Sequence, residues 1–317
     1  MMLSLVFMGT SEFALPSLKR IAEADFLDLR AVVTQPDRPK GRGYKLEPPP
    51  VKKLAEELGV PVHQPERASS PEFVEKLRSI GPDLIVVVAY GQLLKRSVLE
   101  IPPRGCLNLH PSLLPKYRGA APIQRAIMNG ERVTGVTVML LDEGEDTGDI
   151  IAQREVEIGE EDTAATLSRR LAEIGAELLI DVLRRMDGGE VERFPQDHSK
   201  ATYAPKLTKE EGHIDWSKTS AEIHRLVRAV QPWPGAYAFL PDGRRLKVIE
   251  CPVERPEQEL EIPLEPGSIY ISPDKKLFVR TGDGWIRLRV VQPEGKRAMS
   301  DLDFINGYKV RTGDRLG

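Results

Sequence analysis

Cysteine is scarce in this sequence. The two cysteines, Cys106 and Cys251, lie far apart among 317 residues and form no C-x-x-C pair. This spacing excludes a disulfide framework and a thiolate zinc site, and it is typical of proteins kept in a reducing compartment. Four of the five histidines also lack ligand-like spacing, and these are His63, His198, His213 and His224. We therefore expect no metal.

Long apolar runs are missing as well. The runs Leu3–Met8 and Leu84–Tyr90 have the length of strands, and no basic segment precedes the first one. Both are too short for a secretory h-region or a membrane span, so we expect a cytoplasmic protein. Gly9-Thr10 follows the first run, but no G-x-G-x-x-G motif surrounds it, which argues against a dinucleotide site.

No strong excess of one charge is present. The formal net charge of −3 argues against nucleic-acid contact over the whole surface, although local basic segments remain to be assessed. With 40% hydrophobic and 29% charged residues, the composition is that of a soluble globular protein. A chain of this length is long enough to form two domains.

The first half alternates strand and helix patterns, which predicts an α/β domain with a mostly parallel sheet. Helices are predicted up to about Ala24 and over Thr163–Met186, where apolar residues recur every three or four positions. Short β-rich runs predict the strands Leu3–Met8, Leu29–Thr34, Leu84–Ala89, Cys106–Leu109, Gly135–Leu141 and Ile150–Ile158.

The second half has a different texture. The segment 189–209 is polar and irregular, which predicts a linker, and a helix over Ser220–Val230 follows it. Turn signals then separate short strands, a pattern typical of a small β-barrel or sandwich. The predicted strands are Ala236–Leu240, Leu246–Cys251, Gly267–Tyr270, Leu277–Arg280 and Gly284–Gln292.

Two segments carry candidate chemistry. Asn108 and His110 are two residues apart at the end of a predicted strand, so their side chains emerge on one face. Asn supplies a neutral donor, and His can change charge near neutral pH. Five carboxylates cluster in the loop 141–150, and one of them held near His110 would fix its tautomer. The alternatives are a turn-capping Asn with a structural His, and a solvated acidic loop.

These segments belong to a series of motifs that spans the chain. The series resembles the formyltransferases that use 10-formyltetrahydrofolate, and within them most closely the members that act on methionyl-tRNA. The matching motifs are F-x-G-T-x-x-F-A (Phe7–Ala14), T-Q-P-D-R-P-x-G-R-G (Thr34–Gly43), V-V-V-A-Y-G (Val86–Gly91), N-x-H-x-S-L-L-P (Asn108–Pro115), R-G-A-A-P-I-Q-R (Arg118–Arg125), G-V-T-V-M (Gly135–Met139), D-T-G-D (Asp146–Asp149) and P-W-P (Pro232–Pro234).

The resemblance implies a site and a reaction. Asn108, His110 and Asp146 would be the catalytic set, in which Asn108 and a protonated His110 donate to the oxyanion and Asp146 orients His110. The folate would contact Ser112, Leu113, Leu114 and Pro115. Where the family often has Gly between His and Ser, this chain has Pro111, which fixes φ and removes a donor.

The resemblance also implies the architecture and the partners. A Rossmann-like formyltransferase domain would span 1–188, a linker 189–209, and an OB-like C-terminal β-barrel that binds tRNA 210–317. The expected activity is transfer of the formyl group from 10-formyltetrahydrofolate, the co-substrate, to the α-amine of methionine on initiator methionyl-tRNA, by a monomer without metal.

Two basic segments bear on the acceptor. The resemblance implies that the loop 34–45 wedges into the acceptor end of tRNA through Arg38, Lys40, Arg42 and Lys45, whereas taken alone the loop would be a mobile solvated one. From Lys275 to Gly317 there are ten basic and five acidic residues, which suits phosphate contact. The acidic run Glu250–Glu265 is expected to face away from the nucleic acid.

Two alternatives stay open at this point. One is an enzyme of the same fold that formylates a small amine or hydrolyses the formyl-folate. The other is a catalytically silent protein that binds RNA or folate. The basic loop 34–45 argues against the first alternative, and the intact set Asn108, His110 and Asp146 argues against the second.

Overall fold

The computed structural model describes residues 2–40, 45–189, 191–258 and 264–317. In these residues the strands are β1 (Leu3–Gly9), β2 (Leu27–Val33), β3 (Arg38–Lys40), β4 (Lys45–Glu47), β5 (Val62–His63), β6 (Leu84–Val88), β7 (Cys106–His110), β8 (Val133–Leu140), β9 (Ile150–Glu157), β10 (Ala236–Phe239), β11 (Arg245–Glu250), β12 (Ile269–Ile271), β13 (Leu277–Arg280), β14 (Trp285–Arg287), β15 (Val290–Pro293) and β16 (Met299–Ser300).

The helices, numbered in the same way, are α1 (Leu15–Glu23), α2 (Pro50–Glu57), α3 (Pro71–Ile80), α4 (Arg96–Leu99), α5 (Pro122–Met128), α6 (Ala164–Asp187), α7 (Ser220–Ala229) and α8 (Asp301–Tyr308). Among the described residues, no helix is both long and apolar enough to cross a membrane.

The chain divides into two compact units that are interleaved along the sequence. The first comprises Met1–Pro122, Val133–Glu157 and Ser168–Pro205, and the second comprises Ile123–Arg132, Ile158–Leu167 and Lys206–Gly317. The segment 191–205, which the sequence predicts to be linker, therefore belongs to the first unit.

The first unit is built on a seven-stranded sheet with the order β5-β2-β1-β6-β7-β8-β9. The pairs from β5 to β7 are parallel, and β8 is antiparallel to both of its neighbours. The prediction of a mostly parallel sheet is confirmed. The parallel strands β1 and β6 are buried along their whole length, as expected for strands covered on both faces.

Helices cover this sheet and fix the position of β7. On one face Val6, Val87 and Cys106 pack with Phe73 and Leu77 of α3. On the other face α6 approaches so closely that a Cβ on Gly175 would lie 2.8 Å from Leu109 Cδ2. Glycine at this point of the helix lets α6 pack directly on β7, the strand that carries Asn108 and His110.

The second unit contains antiparallel strands, and the prediction of several short strands in this part of the chain is confirmed. One sheet has the order β10-β11-β15-β16, and another has the order β12-β13-β14. Their inner faces share an apolar core with α7 and α8, which includes Trp216, Ile223, Val248, Ile286 and Phe304. Helix α7 begins at a complete capping box, in which Thr219 and Glu222 satisfy each other's backbone amides.

The prediction of one strand over Gly284–Gln292 is wrong. β14 pairs with β13, whereas β15 pairs with β11 of the other sheet. Between them the Leu288 amide donates to Leu277 O and the Arg289 amide donates to Glu250 O, so the chain changes sheets here. Both strands bury side chains in the same core, so apolar residues continue through the change of sheet and the sequence reads as one strand.

Candidate active site

His110 is buried at the end of β7, and one ring nitrogen is already bonded. His110 Nε2 lies 2.9 Å from the carbonyl oxygen of Tyr117. A carbonyl oxygen only accepts, so Nε2 carries a proton and donates it. Tyr117 adopts φ 61°, a conformation that non-glycine residues rarely take, and this turn brings its carbonyl to the ring. Any proton that His110 exchanges with a ligand therefore passes through Nδ1.

Asp146 faces that remaining nitrogen. Its Oδ2 lies 3.5 Å from His110 Nδ1 and accepts a hydrogen bond of 2.8 Å from the Gly119 amide. The distance to Nδ1 is longer than a normal hydrogen bond but within the range of an ion pair. Gly119 has φ +107°, and a Cβ there would lie 3.1 Å from Ala204 O, so this turn needs glycine to present its amide to the carboxylate.

Asn108 completes the group from the middle of β7. It pairs with Val87 of β6 and Met139 of β8, and its side chain projects on the same face as that of His110. The side chain is half-buried, and its amide makes no hydrogen bond to other residues in the described part of the chain. An amide that is partly withdrawn from water and lacks a protein partner is available to a ligand.

The segment Ser112–Pro115 follows β7 directly and is held by β8 and β9. Thr137 Oγ1 donates to Ser112 O at 2.6 Å and accepts from the Leu114 amide, while Gln153 Nε2 donates to Leu114 O. Ser112 Oγ donates to Lys116 O, so that hydroxyl is used inside the turn. Ser112 and Leu114 are buried, and Leu113 and Pro115 are half-buried. The segment forms a firmly anchored wall beside His110.

The basic loop forms a two-stranded hairpin rather than an irregular loop. β3 and β4 are antiparallel, with Arg38 opposite Glu47 and Lys40 opposite Lys45. Arg38 is exposed, with Nη2 3.9 Å from Glu66 Oε2. Arg42 lies outside the described residues. At the base of the hairpin, hydrogen bonds from Gln64 and Lys52 lower the pKa of Asp37.

The basic C-terminal stretch is partly neutralised within the second unit. Arg287 forms ion pairs with Asp301 and Glu254, and Arg289 pairs with Glu250. Two acids of the run Glu250–Glu265 therefore lie against the basic stretch and neutralise part of its charge. Cations along the same stretch that remain exposed include Lys275, Lys296, Arg297 and Arg311.

One side chain near the site, Gln196, was missed by sequence reasoning, and its partner Arg118 was noted only as part of a family motif. Gln196 and Arg118 are buried, and Gln196 bonds both Arg118 and the backbone of the loop that carries Asp146. No sequence pattern indicates Gln196, because this residue lies in a polar segment without periodicity. Cys106 is buried, and burial raises the pKa of its thiol to about 12, so it is no nucleophile.

Among the described residues, no group of three or more His, Cys, Asp or Glu side chains could hold a metal ion.

Two family models match most of the chain. Residues 2–183 match the model of the formyl transferase family, and residues 206–309 match the formyl transferase C-terminal domain. Methionyl-tRNA formyltransferase of Ruminiclostridium cellulolyticum is 45% identical over 99% of this chain and 100% of its own length. Methionyl-tRNA formyltransferase of Thermodesulfovibrio yellowstonii is 48% identical over 98% of this chain and 97% of its own length.

Solved structures share the fold at lower identity. WlaRD, a sugar 3N-formyl transferase in the presence of dTDP and 5-N-formyl-THF, superposes with a TM-score of 0.66 at 21% identity over 94% of this chain and 100% of its own. HypX from Aquifex aeolicus in complex with tetrahydrofolic acid gives 0.62 at 20% identity, over 99% of this chain and 50% of its own. Together with the full-length relatives, the two family models show that the chain belongs to the formyl transferase family.

Proposed function

We propose that this chain transfers the formyl group of 10-formyltetrahydrofolate to the α-amine of methionine on initiator methionyl-tRNA. One observation carries the chemistry. His110 is fixed through Nε2, presents Nδ1 to Asp146, and shares a strand face with Asn108, whose side-chain amide has no hydrogen-bond partner among the described residues. The acceptor follows from relatives named methionyl-tRNA formyltransferase that match nearly the whole chain at 45–48% identity.

The residues divide the work of acyl transfer between them. The amine attacks the formyl carbon, and negative charge develops on the formyl oxygen. Asn108 Nδ2 donates to that oxygen, and the positive charge of a protonated His110 stabilises it further, as in an oxyanion hole. The amine loses one proton and N10 of the folate gains one when the C–N bond breaks. Asp146, directly or through a water, takes the proton from the amine and orients His110.

The two substrates would approach from different elements. Ser112, Leu113, Leu114 and Pro115 form the wall against which the folate lies, and their anchoring by Thr137 and Gln153 keeps that wall in place. The acceptor end of tRNA meets the hairpin through Arg38, Lys40, Arg42 and Lys45, and the C-terminal domain over 210–317 adds phosphate contacts. We further propose that the enzyme acts in the cytoplasm as a monomer.

An assay with three acceptors tests this function. Purified protein is incubated with 10-formyltetrahydrofolate and charged initiator methionyl-tRNA, uncharged tRNA or free methionine. We expect transfer to the charged tRNA only, because the hairpin would bind the nucleic acid and the site would react with its amine. Equal transfer to free methionine would instead favour a small-amine enzyme, and folate hydrolysis without transfer would favour a hydrolase.

A further inference from the structure

Gln196 connects two segments of the candidate active site with one buried side chain. Its Nε2 donates to the carbonyl oxygens of Asp146 at 2.9 Å and Gly148 at 2.7 Å. Its Oε1 accepts from Arg118 Nε at 3.2 Å and Nη2 at 2.7 Å. Only 6% of the residue is exposed. Both hydrogens of the amide and its oxygen are therefore engaged.

The residues on either side of Arg118 hold the proposed catalytic pair. Tyr117 O accepts from His110, and the Gly119 amide donates to Asp146. Arg118 is itself fixed, since its amide donates to Thr202 O and its carbonyl accepts from the Ala204 amide. Gln196 thus ties the backbone of the acidic loop to the same turn that contacts His110.

The acidic loop needs such support because of where it begins. The Leu141 amide donates to Cys106 O at the start of β7, while His110 lies at the other end. The loop must reach back along the strand to bring its carboxylate to the imidazole. Asp146 also adopts φ 55°, a left-handed conformation that L-residues rarely take. Within the loop Asp142 Oδ1 accepts from the Gly144 amide and from Thr147 Oγ1, and Gln196 adds a contact from outside the loop to the backbone of Asp146 itself.

We propose that Gln196 is a positioning residue for Asp146: it holds the carboxylate at His110 and affects formyl transfer without touching substrate. The proposal rests on the proposed function. A displacement of about 1 Å at a reacting group can cost about 10²-fold in rate. The amide type is required, because the partners are two carbonyl oxygens on one side and a guanidinium on the other.

Gln196→Glu is the sharpest substitution. It has the same shape and keeps an acceptor for Arg118, but it turns an oxygen towards the Asp146 and Gly148 carbonyls. We expect kcat for formylation of methionyl-tRNA to fall roughly 10- to 100-fold, with KM for both substrates within about threefold. Ser4→Ala is the matched control. It removes a buried hydroxyl that donates to Asp83 at the opposite end of the sheet, so stability should fall while kcat stays unchanged.

A spectroscopic readout separates positioning from general destabilisation. Nitrogen-15 NMR of the His110 ring reports the surroundings of Nδ1. The Nδ1 signal should move in Gln196→Glu and stay in Ser4→Ala, since only the first substitution displaces the carboxylate. If Gln196→Glu does not fold, Gln196→Ala is judged by the same two readouts.

The outcomes are distinguishable. A wild-type protein that does not formylate methionyl-tRNA contradicts the proposed function. An active wild type whose Gln196 variant keeps kcat within about twofold, or changes KM alone, overturns the positioning role. A lower kcat with an unmoved Nδ1 signal also overturns it, because Gln196 would then act elsewhere than through Asp146.

Discussion

Asp146 Oδ2 lies 3.5 Å from His110 Nδ1, although the loop that carries Asp146 leaves the sheet beside the opposite end of β7. Leu140, the last residue of β8, pairs with Leu107, three residues before His110. At roughly 3.3 Å per residue, that is about 10 Å along the strand. The contact therefore depends on the fold of the loop and on its anchors at Gly119 and Gln196.

Asn108→Ala tests the oxyanion donor. Loss of one such donor typically lowers kcat about 10²–10³-fold, and we expect a loss of this size in methionyl-tRNA formylation. The side chain has no hydrogen-bond partner in the described part of the chain, so the melting temperature should hardly change. Steady-state kinetics and thermal unfolding check both statements. Full activity in this variant would remove Asn108 from the mechanism.

Thr137→Val tests the anchoring of the wall at Ser112–Pro115. The substitution keeps the shape but removes the hydroxyl that bonds Ser112 O, the Leu114 amide and Gln153. Leaving buried partners unsatisfied costs about 1–3 kcal/mol, and KM for the folate should rise. Thr134→Val in the same strand is the control, since Thr134 is buried but bonds none of these groups. Equal folate KM values in the two variants would contradict the role of the wall.

Arg42→Ala tests the use of the hairpin for tRNA. Removing one phosphate contact should raise KM for methionyl-tRNA and lower the slope of log affinity against log salt by about 0.7–0.9. Slow hydrolysis of the formyl-folate should persist, because it needs no tRNA. Lys19→Ala on α1 removes one exposed positive charge elsewhere and should change neither quantity. The same loss in both variants would point to net charge instead of the hairpin.

Asp83→Asn gives a pH-dependent loss of stability. Hydrogen bonds from the hydroxyl and amide of Ser4 hold the pKa of Asp83 below its usual value. A lowered folded-state pKa stabilises the protein above the unfolded pKa of about 3.9, and the effect is lost as the pH falls through the folded value. The difference in unfolding free energy between wild type and variant should be full at pH 7 and shrink below about pH 4. A difference independent of pH would rule out this linkage.

Local patterns predicted much of the first unit. The buried runs predicted β1 and β6 to within about one residue, because strands covered on both faces are continuously apolar. The sequence did not predict β5, because a strand of two residues is too short to show an alternating pattern. The strands β3 and β4 were not predicted either, because their charged, proline-containing sequence shows no apolar face.

Sequence patterns identified only part of the candidate site. The spacing of Asn108 and His110 placed both on one strand face, but the choice of Asp146 among five clustered acids came from resemblance to a family. The role of Gln196 could not be predicted from the sequence, because its partner Arg118 lies 78 residues away and its segment has the composition of a linker. Contacts of this range depend on tertiary packing, which no local pattern records.

The central claim is tested most directly by comparing wild type with Asp146→Asn in the formylation of initiator methionyl-tRNA. The asparagine oxygen can still accept from the Gly119 amide, so the loop should keep its place while the charge facing His110 Nδ1 is lost. Removal of acid–base assistance should lower kcat about 10²–10⁴-fold with little change in melting temperature. An Asp146→Asn enzyme as fast as wild type would contradict the account.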